Sequence, residues 1–226
     1  MSDVDHAAVY RGVCVRVMAL VTGLPAEMFD VVAPATPEWR VRDLLAHLAG
    51  ATADIVSGNL ADVASDEWTG AQVDARRHVP IADVLDEWAR CSAIVEPMIA
   101  SFDPLMRAML LTDAVTHEHD VRGALRVPGD RDSDAVAYAF RGVSGGIGSQ
   151  RGAAGALRIV HDAGVAVVGA GEPAATVRTT RFEIVRAGVG RRSHDQIAAW
   201  DWEGDSRPEC VVLARFAPPR LSPLNE

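Results

Sequence analysis

The chain has 226 residues, 49% of them hydrophobic, enough to bury a core as one large domain or two small ones without metal or disulfide support. Its formal charge is −9, and its 22 basic residues are all arginine, which argues against nucleic-acid phosphate as a partner. Cys14, Cys91 and Cys210 fall in no CxxC spacing, Asp3 and Asp5 stand where a signal peptide would be basic, and no apolar run approaches the roughly 20 residues of a membrane span, so a soluble cytoplasmic protein with buried thiols is expected.

Ala7, Val9, Tyr10, Val13, Val17, Leu20 and Val21 keep a helical period behind Asp3 or Asp5 as cap, and Gly23-Leu24-Pro25 ends this first helix. A Pro-containing connector from Val31 to Pro37 leads to Trp39. Val41, Leu44, Leu45, Leu48, Ala51 and Ile55 then describe a second amphipathic helix. His47 lies beside Leu44, Leu48 and Ala51, so its imidazole is directed to the apolar side, where a lone histidine is usually a satisfied core residue. Gly58 to His78 is acidic and irregular and reads as a long connection that leaves room for a short helical piece. Pro80 opens a third helix carrying Ile81, Val84, Leu85, Trp88, Ile94 and Val95, and Asp103-Pro104 marks the entry to a fourth.

The fourth helix contains Leu110 to Leu125, the richest stretch in the chain. Asp113 and His117 stand four residues apart and therefore one above the other on one face. Leu110, Ala114, Val121 and Leu125 recur beside that face and turn it toward a core, where a carboxylate and an imidazole need a partner. The run His117-Glu118-His119-Asp120 also fits an ordinary solvated helix face, so a third ligand from elsewhere is required. Up-down packing of four such helices sets the second against the fourth and lets His47, Asp113 and His117 converge. Two histidines and one carboxylate leave coordination positions open, as in a catalytic or ligand-accepting metal site. Zinc is the expected ion, and its occupancy is expected to fall as pH drops through the ordinary histidine range near 6.5.

Beyond Pro128 the composition changes. A short helix from about Ser133 to Val143 is followed by a glycine-rich tract, Gly145, Gly146, Gly148, Gly152 and Gly155, and the domain boundary is placed there: 1–143 helical, 144–226 a small α+β domain. Leu157 to His161, Val165 to Val168 and Ala175 to Thr179 read as antiparallel strands, the first two joined by a hairpin turn. Gly169 and Gly171 make a GxGxxA match, but Pro173 and a strand follow it where a pyrophosphate needs a helix N-terminus, so nucleotide binding is rejected. Thr180 to Ala187 and Ser193 to Ala199 read as short helices, and Val211 to Phe216 as a last strand.

Three pieces, Trp39-Arg-Val-Arg-Asp-Leu-Leu-Ala-His-Leu-Ala-Gly50, Asp113-Ala-Val-Thr-His-Glu-His-Asp-Val121 and Gly190-Arg-Arg-Ser-His-Asp-Gln196, together resemble the mycothiol-dependent maleylpyruvate isomerase family. The resemblance covers nearly the whole chain. It implies a DinB-like four-helix metal-binding bundle followed by a small domain related to sterol-carrier proteins, with metal ligands at His47, Asp113 and His117. Two departures stand out: Arg40 replaces a capping Ser or Thr, and Asp113 is shorter than the glutamate of the characterised type. His119, often Trp in relatives, can be an outer hydrogen-bond donor to the site, an alternative ligand or surface, and is read as surface or outer donor.

The implied chemistry is addition of the mycothiol thiolate to an activated double bond, rotation about the resulting single bond, and elimination to the trans isomer. The metal would keep that thiol ionised. Arg191 and Arg192 are the candidate cofactor-side arginines and partners for substrate carboxylates, against a reading as a solvated loop pair. The expected function is a mycothiol-dependent isomerase or transferase acting on a small electrophile, as monomer or homodimer, without nucleic acid or membrane. The alternative is a non-catalytic metal-binding or small-ligand module.

Overall fold

The computed structural model describes residues 4–152, 154–204, 208–213 and 218–226. The chain divides into two compact units, residues 1–128 with Glu226, and residues 129–225. None of the described helices is long and apolar enough to cross a membrane.

In the first unit, α1 spans His6–Val21 and is started by Asp5, whose carboxylate accepts from the Ala8 amide at 2.9 Å. Its buried residues, Tyr10, Val13, Val17 and Val21, repeat at three or four residues and form one stripe. After a 3-10 turn over Ala26–Asp30, the backbone folds back on itself. Ala33 N–H donates to the Trp39 carbonyl and Trp39 N–H to the Thr36 carbonyl, both at 2.8 Å, which fixes Trp39 just ahead of the next helix.

That helix, α2, runs Val41–Ser57 and closes at Gly58 with φ +76°. The capping side chain that Arg40 lacks is partly replaced: Asp43 reaches back to accept from the Arg40 amide at 2.9 Å, while the Arg40 guanidinium pairs with Asp30 at 3.0 Å. The 58–78 stretch departs from the sequence reading. Residues 66–76 form a full helix, α3 (Asp66–Arg76), capped by the Ser65 hydroxyl. Its polarity disguised it, because only Gln72 and Val73 are buried and no apolar stripe marks the period.

Helix α4 is Ile81–Val95, and α5 is Pro104–Leu125, with Asp103 accepting from the amides of Leu105 and Met106. α2 packs on α3, α4 and α5, and α1 on α4 and α5, so α1, α2, α4 and α5 make the bundle and α3 lies against α2. α5 is buried on almost every side between Leu110 and Arg122. Side chains that would be solvated on an edge helix are therefore inside.

The second unit begins with α6, Asp134–Arg151, which passes through the glycine tract expected to break it. This puts the division of the chain earlier than the 143/144 boundary read from composition, because α6 packs against α7 and the sheet of its own unit. The tract serves close approach: a Cβ on Gly148 would lie 2.7 Å from the Gly169 nitrogen.

Strands β1 (Ala156–His161), β2 (Gly164–Val168), β3 (Pro173–Arg178) and β4 (Asp201–Gly204) form one sheet in the order β2-β1-β3-β4. β1 pairs antiparallel with β2 but parallel with β3, with Leu157 opposite Ala175 and Ile159 opposite Val177, so the all-antiparallel expectation is corrected. The loop through Gly169 and Gly171 feeds β3 directly, as read from the sequence. Helices α7 (Arg181–Gly188) and α8 (His194–Ala198) match expectation, and Ser193 caps α8 with Gln196 reaching back. Of the strand expected over 211–216, Val211 ends a 3-10 turn and residues 214–216 lie outside the described residues.

Candidate metal centre

His47 projects from α2, and Asp113 and His117 from successive turns of α5, into the interior of the helical unit. His47 Nε2 lies 3.3 Å and His117 Nε2 3.4 Å from the same oxygen, Asp113 Oδ1. The imidazole centroids are 4.8 Å apart with the ring planes at 79°. One ligand atom from each residue falls within 4.8 Å of the other two, an arrangement that can hold a metal ion. The three residues that helix periodicity and packing brought together on paper are together in space.

Burial is uneven. The imidazoles are 4% and 7% exposed, whereas the Asp113 side chain is 37% exposed, so the group opens on its carboxylate side. Trp39 closes another side, with its ring centroid 5.3 Å from that of His47 and 5.8 Å from that of His117. The turn over residues 33–39 puts it there, and nothing in the residue pattern announced this contact.

Each imidazole is held by its other nitrogen. His117 Nδ1 is 3.0 Å from Asp120 Oδ2, one turn along α5 and fully buried. His47 Nδ1 is 2.8 Å from Gln72 Oε1 on α3. These outer partners were missed in the sequence. Asp120 is detectable at i+3 from His117, but Gln72 lies on a helix that the pattern concealed.

The electrostatics follow from the geometry. Partial loss of solvent opposes a charge on Asp113, yet the neighbouring His47 and His117 outweigh it and hold the carboxyl well below the usual carboxylate range. Burial likewise works against a proton on His117, but Asp113 and Asp120 overcome it and push the imidazole up to about 9. Without metal, a proton is retained where a cation fits.

The solvated-face reading of residues 117–120 does not survive. Glu118 and Asp120 are fully buried, and His117 and His119 are 6% and 3% exposed. Glu118 accepts both nitrogens of Arg16, at 2.7 and 2.6 Å, and Arg122 Nε at 3.1 Å. The surface alternative for His119 is likewise excluded.

In the second unit, Arg192 is 3% exposed, and its Nε and Nη2 bond both Glu183 oxygens at 2.6 and 2.7 Å. Arg191 Nη1 donates to the Val189 carbonyl at 2.9 Å. The solvated reading fails for Arg192, whose guanidinium ties the loop to α7. None of the three cysteines forms a disulfide, and all are half-buried rather than buried.

No protein-family model and no curated protein matches the chain. Two solved structures resemble it. One is a histidine-to-alanine mutant of mycothiol-dependent maleylpyruvate isomerase, with TM-score 0.58 and 12% identity over 82% of this chain and 88% of that one. Another crystal structure of mycothiol-dependent maleylpyruvate isomerase gives TM-score 0.54 and 13% identity over the same shares. At such identity the likeness speaks for the architecture: this chain has the fold of the mycothiol-dependent maleylpyruvate isomerase structures, a helical unit followed by a small α+β unit.

Proposed function

We propose that this protein is a metal- and mycothiol-dependent isomerase or transferase acting on a small electrophile. The observation that carries the reading is the convergence of His47, Asp113 and His117 in this fold, with two shielded imidazoles and a carboxylate open to solvent. The donor set suits a divalent ion, with zinc first and iron or nickel also compatible. A bound ion supplies positive charge that keeps a thiol ionised near neutral pH.

The chain's own residues do the remaining work. His47, His117 and Asp113 provide three ligands, and Asp120 and Gln72 hold the two rings. Trp39 keeps water from the imidazole side, and the exposed carboxylate side is the approach for thiol and substrate. Arg191 stays in the proposal as a carboxylate partner. Arg192 would serve only by giving up Glu183, so it is the weaker of the two. The reading does not depend on metal for folding, because a bundle with this much buried aliphatic surface is stable on hydrophobic grounds.

The test is to load the purified protein with zinc, add mycothiol, follow thiolate absorbance, and assay a panel of small electrophiles that includes maleylpyruvate. Thiol ionisation and thiol-dependent turnover are expected in the wild type. Asp113→Asn, which removes the anionic ligand at constant shape, should lose both and keep its helical circular dichroism. Zinc binding without either effect would leave a non-catalytic metal-binding module.

A further inference from the structure

His47 and His117 receive different support, and the difference identifies a residue that neither ligand spacing nor the apolar pattern marks. His117 is oriented by a carboxylate on its own helix. His47 is oriented by an amide on α3, and an amide has two faces. With its oxygen toward His47 Nδ1 it requires a proton there, which makes Nε2, 3.3 Å from Asp113 Oδ1, the nitrogen that faces the metal position. With its nitrogen toward His47 it would demand the reverse.

The surroundings of Gln72 settle which face is presented. Gln72 Nε2 lies 2.7 Å from Asp54 Oδ2, and the other Asp54 oxygen accepts from Asn59 Nδ2 at 2.9 Å. An ionised carboxylate only accepts, so Gln72 must give its NH2 to Asp54 and its carbonyl to His47. Turning the amide over would set oxygen against oxygen at Asp54.

The approach is also built into the backbone. Gly50 sits one helical turn beyond His47, and a Cβ there would lie 2.5 Å from Gln72 Cβ and 2.7 Å from its Cγ. Those atoms form the stem of the side chain, so any residue larger than glycine would push α3 away. Gln72 itself is 3% exposed on an otherwise polar helix.

We propose that Gln72, oriented by Asp54, is a positioning residue that fixes His47 as the Nδ1–H tautomer with Nε2 free to coordinate, and that α3 is present in this unit to deliver it. The consequence for metal affinity rests on the metal reading given above. The tautomer does not, and it can be read in protein without metal.

The experiment is two-bond 1H–15N correlation of the histidine side chains, in zinc-loaded protein and in metal-free Asp113→Ala protein where no carboxylate competes for Nε2, combined with zinc affinity by chelator competition. Both proteins are expected to show His47 in the Nδ1–H form. Gln72→Leu should abolish that preference and weaken zinc roughly 10–100-fold, the usual cost of losing an outer partner. Gln72→Glu combined with Asp54→Asn exchanges which partner carries the carboxylate while keeping an acceptor at His47 and a donor opposite it. It should restore both the tautomer and most of the affinity, which a merely structural role for Gln72 does not predict.

An Nε2–H form of His47 in the metal-free Asp113→Ala protein, or coordination through Nδ1 in the zinc-loaded wild type, overturns the proposal. So does Gln72→Leu with unchanged tautomer and unchanged zinc affinity, an outcome that would leave the metal reading intact. An Nδ1–H form in the Asp113→Ala protein with no zinc binding by the wild type would uphold the tautomer assignment and remove the metal reading instead.

Discussion

Two polar clusters inside the helical unit end in opposite states. In one, Tyr10 lies 3.2 Å from Thr52 Oγ1 and 3.1 Å from Ser92 Oγ, with Cys14 Sγ 3.8 Å from the same serine. Thr52 spends its own proton on the Leu48 carbonyl, so Tyr10 donates to Thr52, Ser92 to Tyr10 and Cys14 to Ser92. Every hydroxyl is answered and no charge is needed, and burial pushes the Cys14 thiol up to about 11, which keeps it protonated. In the other, both Nε2 atoms converge on one carboxylate oxygen, and the orienting bonds on Nδ1 stop the rings from turning away. The first cluster is complete as protein. The second is complete only with a cation, whether proton or metal, and this separates a polar core from a site.

The contrast is broken most severely at the ligands. A His47→Ala, His117→Ala double variant should lose stoichiometric metal by elemental analysis while remaining helical. Metal retained at one equivalent would mean that the site lies elsewhere. Asp113→Asn should cost more affinity than the roughly 10–100-fold expected for an outer partner, because it removes a ligand and its charge.

Next in size is the pH dependence. The His117 pKa is raised from 6.5 to about 9 in the fold, so its contribution to metal-free stability is fully present below 6.5 and lost as pH rises through about 9. The same proton competes with metal, so zinc affinity should keep rising up to about pH 9. That moves the expected dependence above the ordinary histidine range, and isothermal titration in buffers of different ionisation enthalpy would count the proton released.

Gly50→Ala should then destabilise the unit by roughly 1–3 kcal/mol through overpacking against Gln72 and lower zinc affinity with it. Smallest is Tyr10→Phe, expected to cost about 1 kcal/mol in chemical denaturation, since it strands Ser92 and Thr52. It should not change metal binding, and a loss of affinity there would show that the clusters are coupled.

The sequence, with four-helix packing assumed, was sufficient to nominate His47, Asp113 and His117 as candidate ligands. Asp113 and His117 lie four apart on a helix whose apolar residues flank them, and His47 keeps company with Leu44, Leu48 and Ala51. These are local periodicities, and a helix converts them into a shared face without help from the rest of the chain. Helix starts at Asp5, Asp103 and Ser193 were legible for the same reason, because a cap is made within a few residues.

What only the tertiary structure decided concerns relations across helices and strands. Polarity hid α3 because its contact with the site, Gln72 to His47, spans 25 positions and leaves no periodic trace. His117 to Asp120 looked like a solvated face because polar residues are usually outside, and here partners such as the half-buried Arg16, 102 positions from Glu118, meet the cost of bringing them in. The glycines after Val143 read as a break because glycine is a poor helix former, and the close approach that justifies Gly148 is made by β2 and the loop after it. Strand direction was undetermined for the same reason: alternation specifies which face of a strand is buried, but whether β3 runs with or against β1 depends on which edge the chain reaches after the hairpin.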